Sequence, residues 1–109
     1  MTLKLNIFPR AEKDAQHIFE WIRERSPDGA VRWWRAFEEA AKKASRSPLT
    51  HGLAPENGDV PYELRQFLFK TRRGRTYRGV FVVVEDEVRV LRVRGPGQPP
   101  LDSLEMEGV

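Results

Sequence analysis

Cysteine is absent from this 109-residue chain, which excludes disulfides and thiolate metal sites and is compatible with a reducing cytosol. Histidine is nearly absent too. His17 and His51 are the only two, without HxxH or HExxH spacing, so no structural metal and no cofactor is expected. No apolar run approaches the roughly 20 residues that cross a bilayer, and Met1-Thr2-Leu3-Lys4-Leu5 lacks the apolar stretch of a secretory signal. A cytoplasmic protein with no membrane contact is the expectation. This length implies one domain over residues 1–109, with a hydrophobic core that needs no covalent staple.

Charge is present but unevenly spread. Residues 1–61 hold 10 basic and 9 acidic side chains, residues 62–98 hold 9 and 4, and residues 99–109 hold none and 3. The basic excess therefore sits on one segment, and a local patch matters more for partner choice than the net +3 of the whole chain. The plain alternative is a solvated, solubilising face.

Leu3, Leu5 and Ile7 alternate, as in a strand, and Pro9 ends that run and can open a helix. Ala11, Ala15, Ile18 and Ile22 then recur at helical spacing. Ser26-Pro27-Asp28 supplies an N-cap, a first-turn proline and a dipole-matched acid, predicting a second helix to about Ser45. Its apolar stripe is Trp33, Phe37, Ala40, Ala41 and Ala44, and the short connection forces an antiparallel helical hairpin. Residues 49–61 read as an ordered loop. Three β-type segments follow, with Glu85-Asp86-Glu87 as a tight hairpin turn between the last two. Residues 101–109 are expected to form a flexible tail. The order β-α-α-β-β-β implies an α+β fold: an N-terminal strand, a two-helix antiparallel hairpin and a three-stranded antiparallel meander. The hairpin covers one sheet face. The other must be polar, or covered by the tail.

Each strand of the meander carries arginine: Arg65 in the first, Arg78 in the second, Arg92 and Arg94 in the third. The turn Lys70-Thr71-Arg72-Arg73-Gly74-Arg75 adds four more cations. Guanidinium forks match phosphate and can stabilise charge developing on it. Arg65 shares parity with Phe67 and Phe69, and Arg92 and Arg94 share a parity opposite to Leu91 and Val93. Arg65, Arg78 and Arg92 or Arg94 converge on one face if the registers allow it, and a one-residue slip would undo that. Arginine is a poor general base, so nuclease chemistry needs another group for proton transfer. Lys70, Tyr77, Tyr62, Glu63 and His51 are the candidates, and no spacing singles one out. Tyr77 reads first as a core aromatic and His51 as a loop or cap residue, ahead of any catalytic role. Trp21, Trp33 and Trp34 read as packing residues, but a small core cannot take all three. An exposed one on the hairpin would suit a protein partner.

The chain resembles the RelE/ParE superfamily of type II toxin–antitoxin toxins. The resemblance is carried by Ala11 through Trp21-Ile22, Ser26-Pro27 with Ala30, Arg32 and Trp33, then Pro48, Gly52 and Ala54-Pro55-Glu56. Its most specific part is Glu63-Leu64-Arg65, Tyr77-Arg78 and Val88 through Arg94. It implies the β-α-α-β-β-β order and a small bacterial toxin, of the plasmid-stabilisation kind, neutralised by a cognate antitoxin.

One branch of that superfamily cleaves mRNA in the ribosomal A site, and the other inhibits DNA gyrase without nuclease activity. On the first model, Arg65, Arg78 and Arg94 are the catalytic candidates. Lys70, Arg72, Arg73, Arg75 and Arg92 would bind nucleic acid, with ribosome and mRNA as partners. This is the leading expectation, an mRNA interferase. A gyrase inhibitor and a non-toxic antitoxin-binding relic are the alternatives. The sequence departs from the ribosome-dependent pattern at three places. Phe67 stands where a second basic residue is usual, Gly95-Pro96-Gly97-Gln98 stands where many relatives carry His or Arg, and no Tyr or His follows Tyr77.

Overall fold

Residues 2–106 are described by a computed structural model. Strand β1 (Lys4–Ile7) leads into helix α1 (Pro9–Arg23), and α2 (Pro27–Arg46) follows after three residues. Strands β2 (Arg65–Phe69), β3 (Tyr77–Val84) and β4 (Glu87–Arg94) come next, then a short helix α3 (Ser103–Met106). The expected element order holds. Pro9 and Pro27 occupy first-turn positions where the missing N–H costs nothing. Ser26 caps α2 by accepting a hydrogen bond from the Gly29 amide at 3.1 Å.

The sheet order is β1-β4-β3-β2. The three later strands form the expected antiparallel meander, while β1 lies parallel to β4, so the sheet is mixed. The hairpin turn is two residues, Glu85-Asp86, with Glu87 already paired to Val84 in the ladder. Glu85 adopts φ 56°, the left-handed region that this tight turn demands and that an L residue enters only at a cost.

Helices α1 and α2 bury their stripes against one sheet face. Trp33, Phe37, Ala41 and Ala44 from α2 and Ala11 and Ala15 from α1 meet Phe67, Phe69, Phe81, Val88, Val90 and Val93. Trp33 and Phe37 stack at 5.9 Å, and the Trp33 ring also meets Phe69 and Tyr77. Gly79 sits opposite Phe67, close enough that a Cβ there would fall 2.2 Å from the ring.

Strict alternation fails in β4. Phe81 pairs with Val90 and Val80 with Arg92, which leaves Leu91 as the extra residue of a bulge. Val90 and Val93 therefore both pack under the helices, while Leu91 turns to the other face. The parity reading that set Leu91 with Val93 is corrected by this bulge.

The opposite face is covered. Leu64, Val80, Val82 and Leu91 form a second core with Ala54, Leu101 and Met106. The flexible-tail expectation thus fails for Leu101 and Met106, which are 2% and 3% exposed because their apolar side chains close this otherwise open face. Residues 107–109, the rest of the expected tail, lie outside the described residues.

Candidate functional site

The β2-β3 register sets the direction of each arginine. Arg65 pairs with Phe81 and shares parity with Phe67, so it belongs to the helix side of the sheet. Arg78 pairs with Arg94, and both turn to the opposite side, toward residues 56 and 99–105. The one-face convergence anticipated for Arg65, Arg78 and Arg94 is therefore not formed.

Each of these side chains is also engaged. Arg65 donates from Nη1 to the His51 carbonyl at 2.6 Å and pairs through Nη2 with Glu63 at 2.7 Å. Arg78 makes a two-pronged contact with Glu56, Nη1 to Oε1 at 2.9 Å and Nη2 to Oε2 at 2.5 Å. Glu56 is 1% exposed, and its Oε2 also accepts the Leu101 amide at 2.7 Å. Burial alone would raise the Glu56 pKa. The hydrogen bonds from Arg78 and the Leu101 amide, with the Arg78 charge, outweigh it and hold the carboxyl below the ordinary glutamate value.

Arg94 is buried. It donates from Nη2 to the Pro99 carbonyl at 2.7 Å, and its Nη1 lies 3.6 Å from Glu105. Arg92 is held by Asp14, Nε to Oδ2 at 2.7 Å and Nη2 to Oδ1 at 3.1 Å, an interaction that raises its pKa further. The same Asp14 accepts the Val93 amide at 3.0 Å, so it closes the edge of β4 beyond the end of β1.

Sequence reasoning missed Glu56 and Asp14 as the partners of Arg78 and Arg92. The signal was there in principle: arginines on a two-sided apolar sheet require carboxylates from elsewhere in the chain.

The other proton-transfer candidates are dispersed. Tyr77 stands on the helix side against Trp33 and Phe69, and burial raises its hydroxyl pKa against the opposing charge of Arg75. His51 lies 3.1 Å from the Ser47 carbonyl and sets its ring edge on Phe81, the loop role foreseen as its alternative. Glu63 and Tyr62 sit with Arg65 beside a largely apolar cavity of about 270 Å³. Lys70, Arg72, Arg73 and Arg75 occupy the exposed β2-β3 turn, and none forms an ion pair among the described residues. No helix among those residues is long and apolar enough to cross a membrane.

A family model described as the ParE toxin of the type II toxin–antitoxin system parDE matches residues 5–98. The chain belongs to this ParE toxin family. That confirms the RelE/ParE resemblance and places the chain among type II toxins, whose systems pair toxin with cognate antitoxin. The fold is similar to that of a solved chain from the "Chromosomal ParDE TA system from P. aeruginosa", with a TM-score of 0.66. Identity there is 19%, and the match covers 85% of this chain and 95% of the other. No curated protein matches the sequence. Within the ParE fold, β3 and β4 are the two inner strands, and they carry Arg78, Arg92 and Arg94.

Proposed function

We propose that this ParE-family toxin arrests growth by binding DNA gyrase and that it is not an mRNA nuclease. The observation that carries the reading is the engagement of Arg78 by the buried Glu56 carboxylate. A guanidinium already gripped at both ends of its fork has little left to offer a scissile phosphate. Glu56 is itself held as the charged form, surrounded by donors, so it has no proton to give and a weakened appetite for one. Arg94, paired in register with Arg78, is buried, and Arg65 faces the other way. A cleavage site needs a phosphate clamp and a proton-transfer group within reach of one atom, and here those parts are scattered.

On this reading Arg65, Arg78, Arg92 and Arg94 hold the fold together, while the exposed cations of the β2-β3 turn act in recognition. Two assays test it together. Purified toxin is expected to block supercoiling of relaxed plasmid by gyrase. In a toeprint on ribosomes stalled over a defined message it is expected to leave the mRNA intact. New ends in the A-site codon, formed only when ribosomes are present, would overturn the proposal in favour of the ribosome-dependent nuclease. Normal growth on expression without antitoxin, with gyrase untouched, would leave an antitoxin-binding relic.

A further inference from the structure

We propose that the groove between α1 and the β2-β3 turn is the target-binding surface, and that it grips an acidic segment of the target protein bearing a bulky apolar side chain. The inference rests on the reading of the target as a protein.

Trp21 is the first observation. It is 56% exposed on α1 and lies outside both cores. The Arg25 guanidinium lies 3.8 Å from the centroid of its ring, and Arg25 Nη1 donates to the Trp21 carbonyl at 2.7 Å. A large, rigid aromatic side chain has few torsions to lose on docking, which suits an anchor. Core packing does not account for it, because α1 already meets the sheet and α2 through Ala11, Ala15, Ile18 and Ile22.

The second observation is the space beside it. A groove of about 430 Å³ runs past Trp21, with Ile18, Tyr77 and Pro96 as apolar lining and Arg75 at its mouth. Its far rim is a closed turn. The Gly95 amide donates to Gln98 Oε1 at 2.5 Å, and Gly95 packs so closely on Tyr77 that an added Cβ would lie 3.2 Å from the ring. Apolar lining with a tryptophan, a tyrosine and an arginine is the composition in which interface energy concentrates.

Charge identifies the occupant. Most sheet arginines have a carboxylate of their own, whereas Lys70, Arg72, Arg73 and Arg75 have none among the described residues. Their turn borders the groove through Arg75. Acidic side chains of a partner would complete these pairs, steer the encounter and flank the apolar contact.

Trp21→Ala and Arg75→Glu test the surface, with three readouts on the full-length toxin: half-inhibition of gyrase supercoiling, growth arrest, and affinity for the antitoxin. Thermal melting controls for folding. Each variant is expected to raise the half-inhibitory concentration at least about tenfold. Growth arrest should weaken in parallel, while antitoxin affinity stays within about twofold, the change expected of a substitution off the interface. Wild-type toxin that leaves gyrase active would overturn the gyrase reading alone. The surface is then judged by growth arrest, and variants as toxic as wild type overturn it. Equal loss of antitoxin affinity would also overturn it, by assigning the groove to the antitoxin. So would binding of a single-stranded oligonucleotide that both variants abolish while gyrase inhibition persists.

Discussion

Glu56 and Arg78 meet across two contacts, at 2.9 and 2.5 Å, with the Glu56 side chain fully buried and the Arg78 side chain 16% exposed. The pair joins the loop after α2 to β3. Through the Leu101 amide it also fastens the segment that closes the second face of the sheet. Removing one partner of such a pair leaves the other charged and unmatched. Glu56→Gln is expected to destabilise the protein by about 3 kcal/mol in urea unfolding. Arg78→Met combined with Glu56→Met should cost less than the two single changes added, with a coupling of about 1.5 kcal/mol or more in a double-mutant cycle. The double variant is also expected to retain growth arrest, since Arg78 serves the fold.

Acid should expose the same link. The Glu56 pKa is lower folded than unfolded, so the native state binds fewer protons near that range. Its stabilisation is complete well above the unfolded value of roughly 4.3 and is lost as pH falls through the lower folded value. Melting temperature is expected to drop on acidification from about pH 5 downward. Glu56→Gln should remove part of that drop while starting from a lower plateau, which differential scanning calorimetry across pH 3 to 7 would read, at roughly half-unit steps.

Gly79 and Phe67 form a fitted pair. A methyl group at position 79 would lie 2.2 to 2.7 Å from three atoms of a ring that is 1% exposed and confined by Phe37, Phe69 and Phe81. The ring has nowhere to move without disturbing the aromatic core. Gly79→Ala is expected to cost about 1–3 kcal/mol by overpacking, measured by denaturant unfolding, despite the better strand propensity of alanine.

The Glu85-Asp86 turn offers the reverse effect. With φ 56° at Glu85, a residue without Cβ relieves strain at that position. Glu85→Gly is expected to stabilise the protein by about 0.5–1 kcal/mol, raising its melting temperature by a few degrees.

The parts of this fold that depend on near neighbours were legible in the sequence. Ser26-Pro27 marked the start of α2, and Trp33, Phe37, Ala41 and Ala44 marked its buried stripe, because cap and period are local signals. That at least one of Trp21 and Trp34 would stay exposed followed from the limited room under two helices, but the structure was needed to show that it is Trp21. The bulge at Leu91 was not legible, since it exists only in the pairing with Val80 and Phe81 and exchanges the faces of residues beyond it. The Arg65–Arg78 convergence failed for a related reason. Two strands with compatible patterns still have to be registered, and the register sends these two side chains apart. Glu56 and Asp14 resembled ordinary solvated acids, one in a Gly- and Pro-rich loop and one on a polar helix face. Their role appears only when distant strands bring arginines to them.

The parallel ladder of β1 with β4 bears on how the toxin comes into being. Lys4–Ile7 is synthesised well before its hydrogen-bonding partner, Glu87–Val90. Until β4 has been synthesised, the helical hairpin lacks much of the layer it packs on, and the first strand has no ladder to join. A chain interrupted before β4 is therefore expected to lack the folded sheet. Closure of the sheet is thus tied to the synthesis of its fourth strand, and any activity that needs the fold waits for it.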